Sequence, residues 1–491
     1  MSGNGSLEAK VDGQKITSVA LVESGKTVEF TATPENVATH DVDFWTISEG
    51  GFDTGTGVNG STSARIKVKQ PVTVTVKFKP VGTPPTKYNV TFGVSGTGGT
   101  LKAEVDGAEV YSPYQAERNK VIVFTAAPAN EYYAVEKWTN GGNPIVGETN
   151  ATYEHTVTED ADIAVHFKTA PVDVYVTGTS GGKAYVWKNG APTQLSAHEA
   201  APDKVAPYAV HAQVKDVYIV GEELVGGGVG RPLVWKKDGS LHWISKYRWS
   251  DAYDITFYKG KTFVAGKMYD FTDEGASITD ISDPENPTVT FLCKKTPQMG
   301  AYARALCAGT GKLYAAGHKR DNDTLKDTVF LWTKPDAGTV SELELGLVGT
   351  YTDILYGVCT AGSSVYVAAG NLWKVDDATV TPITVPEANG VYALCVCNGT
   401  VYAAGQTNGE AAVWKIEGIN ASLHKKLSTW PGGVYALCAG RDDLYAAGFY
   451  RDTDNKEKPV WWYIAADGTF TEHKLGTAEG EARGICVAPQ E

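Results

Sequence analysis

Between Val174 and Gly448 the chain returns seven times to one pattern of apolar, aromatic and small positions that usually ends in glycine. The copies are VYVTG at Tyr175, VYIVG at Tyr218, TFVAG at Phe263, LYAAG at Tyr314, VYVAAG at Tyr366, VYAAG at Tyr402 and LYAAG at Tyr445. Neighbouring copies are spaced by 36 residues (Tyr366 to Tyr402) to 52 residues (Tyr314 to Tyr366). That spacing suits a four-stranded propeller blade of roughly 40 to 50 residues. In the sixth unit GVYALCVCNG reads as the inner strand, TVYAAGQ as the second, AAVWKIE as the third and ASLHKKLS as the outer one. A third-strand tryptophan recurs as Trp187, Trp235, Trp332, Trp373 and Trp414, with Trp461 or Trp462 in the last unit, which signals packing between blades. The first unit begins at its second strand, whereas Glu481 to Pro489 is an inner strand without a blade. Placing the second beside the first removes two exposed edges, so the pattern predicts seven blades closed by the C-terminal strand.

A different repeat fills the first 169 residues. GSLEAKVDG from Gly5 returns as GTLKAEVDG from Gly99, VEFTATP from Val28 as IVFTAAP from Ile122, Trp45 as Trp138, and VTVTVKF from Val72 as ADIAVHF from Ala161. Alternation at Val72, Val74, Val76 and Phe78 turns one strand face inward. The matched position of Trp45 and Trp138 favours core tryptophans over sugar-stacking ones. The expected organisation is an all-β chain: a small β module over 1–80, a proline-containing linker over 81–87, a second module over 88–169, and a propeller over 172–491.

The ordered landmarks L-x-A-x-V-D-G, F-T-A-x-P, a lone Trp and V-x-V-x-F resemble the Listeria-Bacteroides type B repeats of internalin-like surface proteins. The resemblance covers both units nearly whole. It implies small β-grasp-like modules serving as stalks or spacers on exported bacterial proteins. VWKNGAPTQL, Val186 to Leu195, with the recurrent pattern that follows it, resembles propeller repeats of exported Bacteroidetes proteins. No catalytic residue comes with that family, and what it implies is location and non-enzymatic display.

A formal charge of -13 argues against a nucleic-acid partner, which would require clustered Lys and Arg. No run of 18 apolar residues would span a membrane. The start, MSGNGSLEAK, lacks the basic and apolar regions of a signal peptide. Its Gly/Ser/Asn tether, with the resemblances, leads us to expect an exported, extracellular or surface protein whose native leader is replaced, with a lipid anchor at the native N-terminus. Five of the seven cysteines, Cys307, Cys359, Cys395, Cys438 and Cys486, recur at one repeat position, where they read as small buried hydrophobes. No metal or cofactor is expected from the motifs.

The histidines form no recognised motif, and GGGVG (Gly226 to Gly230) lacks the Lys-Ser/Thr of a phosphate loop. A sharper signal is a matched pair of loops, AGHKRDND and AGFYRDTD, which repeat R-D-x-D at Arg320, Asp321, Asp323 and at Arg451, Asp452, Asp454. Asp270, Asp273 and Glu274 hold the corresponding loop of the third unit. Propeller topology puts these loops on the face that also carries Trp249 and Trp430, and carboxylates beside flat apolar rings suit sugars or a cationic protein patch. The plainer reading is that aspartate favours turns. The expected function is therefore a non-enzymatic, monomeric surface-binding or adhesion protein whose propeller face takes a glycan or a host or matrix protein. A glycoside hydrolase or lyase on the same scaffold and a purely structural scaffold are the alternatives.

Overall fold

The computed structural model describes residues 4–82, 86–130, 132–213, 216–225, 229–246, 250–270, 272–350 and 356–490. Its elements are β-strands, with one short 3-10 turn at Pro202–Lys204, and among the described residues there is no α-helix. Two compact units emerge, Met1–Ala170 and Pro171–Glu491.

In the first unit the internal repeat becomes two modules. In the second module the sheet containing Lys87–Ser95, Ala161–Thr169 and Tyr133–Asn140 packs against one built from Gly99–Val105 and Val121–Pro128. Ala161–Thr169 pairs in parallel with Lys87–Ser95, which starts at the last residue expected to be linker. A β-grasp lays a helix across its sheet; here a second sheet takes that place, which corrects the β-grasp expectation. Trp45 and Trp138 are each fully buried, and their indole N–H groups donate to the carbonyls of Ser61 at 2.8 Å and Asn150 at 2.9 Å. Both are core residues with satisfied polar tips, as the repeat suggested.

The second unit is a succession of four-stranded antiparallel meanders. Val205–Gln213, Asp216–Val225, Val229–Lys236 and Leu241–Ile244 lie in that order, and the sheets that follow repeat it. In the sixth unit the strands are Ala388–Cys397, Thr400–Thr407, Glu410–Glu417 and Asn420–Gly440, the last running on to become the inner strand of the next sheet. Val172–Ser180, which begins the unit, pairs antiparallel with Ala482–Pro489 from its end, Val172 opposite Pro489 and Tyr175 opposite Cys486. The third-strand tryptophans are core: Trp187, Trp235, Trp332, Trp373, Trp414 and Trp462 are all buried. Trp235, Trp332, Trp373, Trp414 and Trp462 each sit in an apolar cluster drawn from two neighbouring sheets, as Trp332 does with Ala265, Ile278 and Phe330. All seven cysteines are free, and burial pushes their thiols up, that of Cys359 to about 12, so they are poor nucleophiles.

Candidate binding face

In or directly before every inner strand a tyrosine or arginine stands three residues ahead of the repeat position that cysteine most often fills: Tyr208, Tyr253, Arg304, Tyr356, Tyr392, Tyr435 and Arg483. In six of these strands the pairing with the neighbouring strand slips at that residue. The register shifts between Pro207 and Ala209, Ala252 and Ala265's partner Asp254, Ala303 and Ala305, Val391 and Ala393, and Val434 and Ala436. Arg483 is skipped in the same way between Ala482 and Gly484. Tyr356 stands directly before its strand, Gly357–Ala361. A β-bulge of this kind adds an unpaired residue, bends the strand and re-aims the side chain that occupies it.

The bulges account for the glycine of the repeated pattern. A Cβ on Gly221, Gly266, Gly317, Gly405 or Gly448 would stand 1.9 to 2.2 Å from a backbone oxygen of the bulged strand, as Gly317 does against Tyr302 at 1.9 Å. Only a residue without a side chain admits that approach. In the fifth repeat, VYVAAG, the cross-strand pair is reversed: Ala368 faces Gly357.

Re-aimed in this way, residues from separate strands meet. The Arg483 guanidinium lies 5.7 Å from the Tyr208 ring centroid, Tyr208 lies 5.5 Å from Tyr253, and the Arg304 guanidinium sits 3.8 Å over the Tyr253 ring. Tyr392 and Tyr435 meet edge to face at 6.4 Å. Arg304 also faces Tyr302 at 5.6 Å, and from there His318 stacks on Tyr302 at 4.8 Å and on Tyr356 at 5.7 Å. The result is a band of phenols and guanidiniums spanning several sheets.

Carboxyl groups border this band. The Tyr208 hydroxyl donates to Glu222 Oε1 at 2.6 Å. The other oxygen, Oε2, and Asp251 Oδ1 both crowd Gly230, where a Cβ would meet them at 2.7 and 2.8 Å. Burial, then the charge of Asp251, pushes the Glu222 carboxyl well above the usual carboxylate range. Asp254 accepts the N–H groups of Leu306 at 2.7 Å and Ile255 at 2.8 Å, tying adjacent inner strands together, and burial still pushes it up to about 7. His318 and Asp327 are 5% and 3% exposed, 3.9 Å apart, with His318 Nδ1 and Asp327 Oδ1 lacking hydrogen-bond partners. Burial and the charges of Arg304 and Arg320 push the imidazole down to about 3, so it is neutral.

The residues singled out from sequence lie where these inner strands begin, since Asp321 pairs with Met299 and Tyr450 with Gly432. Asp321 accepts the N–H groups of Asp323 at 2.9 Å and Thr324 at 2.8 Å, and Asp452 those of Asp454 at 3.0 Å and Lys456 at 3.1 Å. The first aspartate of each motif therefore shapes its turn. Asp270 does the same for Thr272 and Asp273, while Asp273 pairs with Lys294 and Glu274 with Lys267 and Lys295. Arg451 is paired with Glu457 at 2.9 Å. Asp323 and Asp454 are exposed, and Trp430 is 48% exposed. Trp249 lies outside the described residues, as do Gly226 to Gly228 of the glycine run. Among the described residues no cluster of His, Cys, Asp and Glu could hold a metal ion.

The tyrosine and arginine series was present in the very phrases that display the cysteines, such as VYALC and ARGIC. What hid it is parity: three residues apart on a regular strand means opposite faces. The bulge that changes this leaves no mark in composition.

No family model and no curated protein matches this chain. Among solved structures it is similar to a quinonprotein alcohol dehydrogenase-like protein from Bacteroides thetaiotaomicron, at 11% identity and a TM-score of 0.41, over 82% of this chain and 97% of that one. It is also similar to the β-propeller domain of the Trilobed protease from Pyrococcus furiosus, at 11% identity and a TM-score of 0.38, over 62% and 95%. A third likeness is to the GH43 endo-arabinanase from Bacillus licheniformis, at 10% identity and a TM-score of 0.26, over 44% and 95%. The chain is an all-β protein whose structural neighbours are β-propellers.

Proposed function

We propose that this is a non-catalytic binding protein whose second unit is a seven-bladed propeller closed by Ala482–Pro489, and that it takes a glycan on the face where the inner strands begin. The closure is supported by the pairing of Ala482–Pro489 with Val172–Ser180 and by its packing against Val205–Gln213 and Asn420–Gly440. The observation that carries the functional reading is the repeated bulge. Six strands give up ladder pairing at one equivalent place, and each spends it on a phenol or a guanidinium. Ring faces stack on the C–H surface of sugars, while hydroxyls, guanidiniums and the Glu222–Asp251 pair offer hydrogen bonds to sugar hydroxyls. Trp430, Asp323 and Asp454 would extend the surface at its rim, with Trp249, Arg320, Asp321, Arg451 and Asp452 as further candidates or supports.

The N-terminal modules act as a stalk that displays the propeller outside a bacterial cell, a reading that rests on their resemblance to surface-protein repeats. Antibody labelling of intact against lysed source cells tests this, and signal only after lysis would refute it. For binding, the full chain and a Tyr253→Ala, Tyr392→Ala double variant are compared on an array of neutral and acidic polysaccharides. The parent should be retained by at least one glycan, and the folded variant should lose about tenfold or more in affinity. A parent that no glycan retains would refute the glycan-binding reading and leave a protein ligand or an architectural scaffold.

The Glu222–Asp251 pair favours a second reading, a glycoside hydrolase or lyase. Their carboxyl oxygens, however, crowd one point, whereas glycoside hydrolysis uses carboxyls about 5 to 9.5 Å apart. New reducing ends or unsaturated products from a polysaccharide panel would establish the enzyme in place of the binder.

A further inference from the structure

We infer that the sugar taken by this face carries a carboxylate, as a hexuronic acid residue does, with Arg304 reading the carboxylate and His318 and Asp327 reading neighbouring hydroxyls. The inference rests on the glycan-binding reading and narrows its ligand class.

Three polar groups at one place on the band are incompletely paired. Arg304 is held by ring faces, 3.8 Å from the Tyr253 centroid and 5.6 Å from that of Tyr302, and its Nε is buried without a hydrogen-bond partner. Arg483, at the equivalent position, is by contrast committed to Glu481. Next to Arg304, across Tyr302, are His318 and Asp327, nearly inaccessible and each with a polar atom lacking a partner. Leaving a buried polar atom unpaired is destabilising, and native proteins retain few such atoms.

The donors and acceptors differ in kind, which narrows what could complete them. A guanidinium centred 3.8 Å from a ring centroid still carries its N–H groups as a planar fork, the match for a carboxylate. In a neutral imidazole one nitrogen donates and the other accepts, and a carboxylate only accepts, so the adjoining ligand atoms must include donors, which sugar hydroxyls supply. The rings of Tyr253, Tyr302 and Tyr356, each partly exposed, add apolar surface beside these groups. A carboxylate, hydroxyls and a C–H face on one small rigid unit describe a uronic acid. The formal charge of -13 does not oppose this, because at physiological ionic strength charges beyond about 8 Å are screened while Arg304 acts at contact.

The test is calorimetric titration of the full chain with galacturonate, glucuronate and mannuronate/guluronate oligosaccharides, and with the same oligosaccharides after reduction of their carboxyls to alcohols. At least one uronate should bind about tenfold or more tightly than its reduced form. Arg304→Gln should abolish that preference, Arg304→Lys should restore part of it, and Asp327→Asn should weaken both forms while leaving the preference in place. Circular dichroism and melting checks show whether each variant folds; if Arg304→Gln does not, Arg304→Lys and Asp327→Asn decide. Equal binding of acidic and reduced forms, binding of neutral glycans alone, or a preference that survives Arg304→Gln would overturn the inference and leave the glycan-binding reading standing. Failure to bind any glycan would remove both.

Discussion

At Glu222 and His318 the protein buries titratable groups whose preferred states are opposite in effect. His318 is pushed down to about 3 from 6.5, so between those values the unfolded chain binds more protons and stability rises with pH. Glu222 is pushed up from 4.5, so above that value the folded state keeps a proton that the unfolded chain has released, and stability falls as pH rises. Asp254, pushed up from 3.8 to about 7, has the same sign as Glu222. Below pH 6.5 these slopes oppose each other; above it the carboxyl groups act alone. The melting temperature of the parent should therefore fall between pH 6.5 and 8.5, and Glu222→Gln, which stays neutral, should flatten that fall. A parent whose melting temperature is constant across the interval would show that neither Glu222 nor Asp254 holds a proton in the folded state there.

Bulge and glycine form the element that this sequence half displays. The recurrence of VYxxG was legible, and so were its consequences for strand order and for the buried tryptophans, because aliphatic alternation and a heavy aromatic are visible locally. The reason for the glycine was not, because the oxygen that excludes a Cβ from Gly317 belongs to Tyr302, on another strand. The R-D-x-D loops were legible as a pair, yet Asp321 and Asp452 are spent on their own turns, a use that no sequence comparison of two loops distinguishes from ligand binding. Gly317→Ala would force a methyl to 1.9 Å from a carbonyl oxygen flanked by paired strands that cannot retreat. Overpacking of that kind costs about 3 kcal/mol. Urea unfolding of the variant should show the loss, and a midpoint equal to that of the parent would mean that the bulge yields freely and does not fix the position of Arg304.

The two ends of the second unit meet in one sheet, where Val172–Ser180 has Ala482–Pro489 on one side and Lys183–Lys188 on the other. Ending the chain at Glu481 would remove Arg483 from the band, expose the backbone of Val172–Ser180, and uncover the cluster in which Cys486 and Ala488 pack with Tyr175, Val210 and Ile219. An unpaired strand edge next to bared apolar surface recruits other chains. The truncated protein should therefore melt at least about 10 °C below the parent, a shift of the size expected when several kcal/mol are lost from a domain of this length. It should also associate in size-exclusion chromatography. A peptide spanning residues 482–491 should restore the parent's elution volume and melting temperature, because it can occupy the vacated edge in the same register. A truncated chain that elutes and melts like the parent would show that this pairing adds little to the stability of the second unit, and the band of tyrosines and arginines would then have to be positioned by its bulges alone.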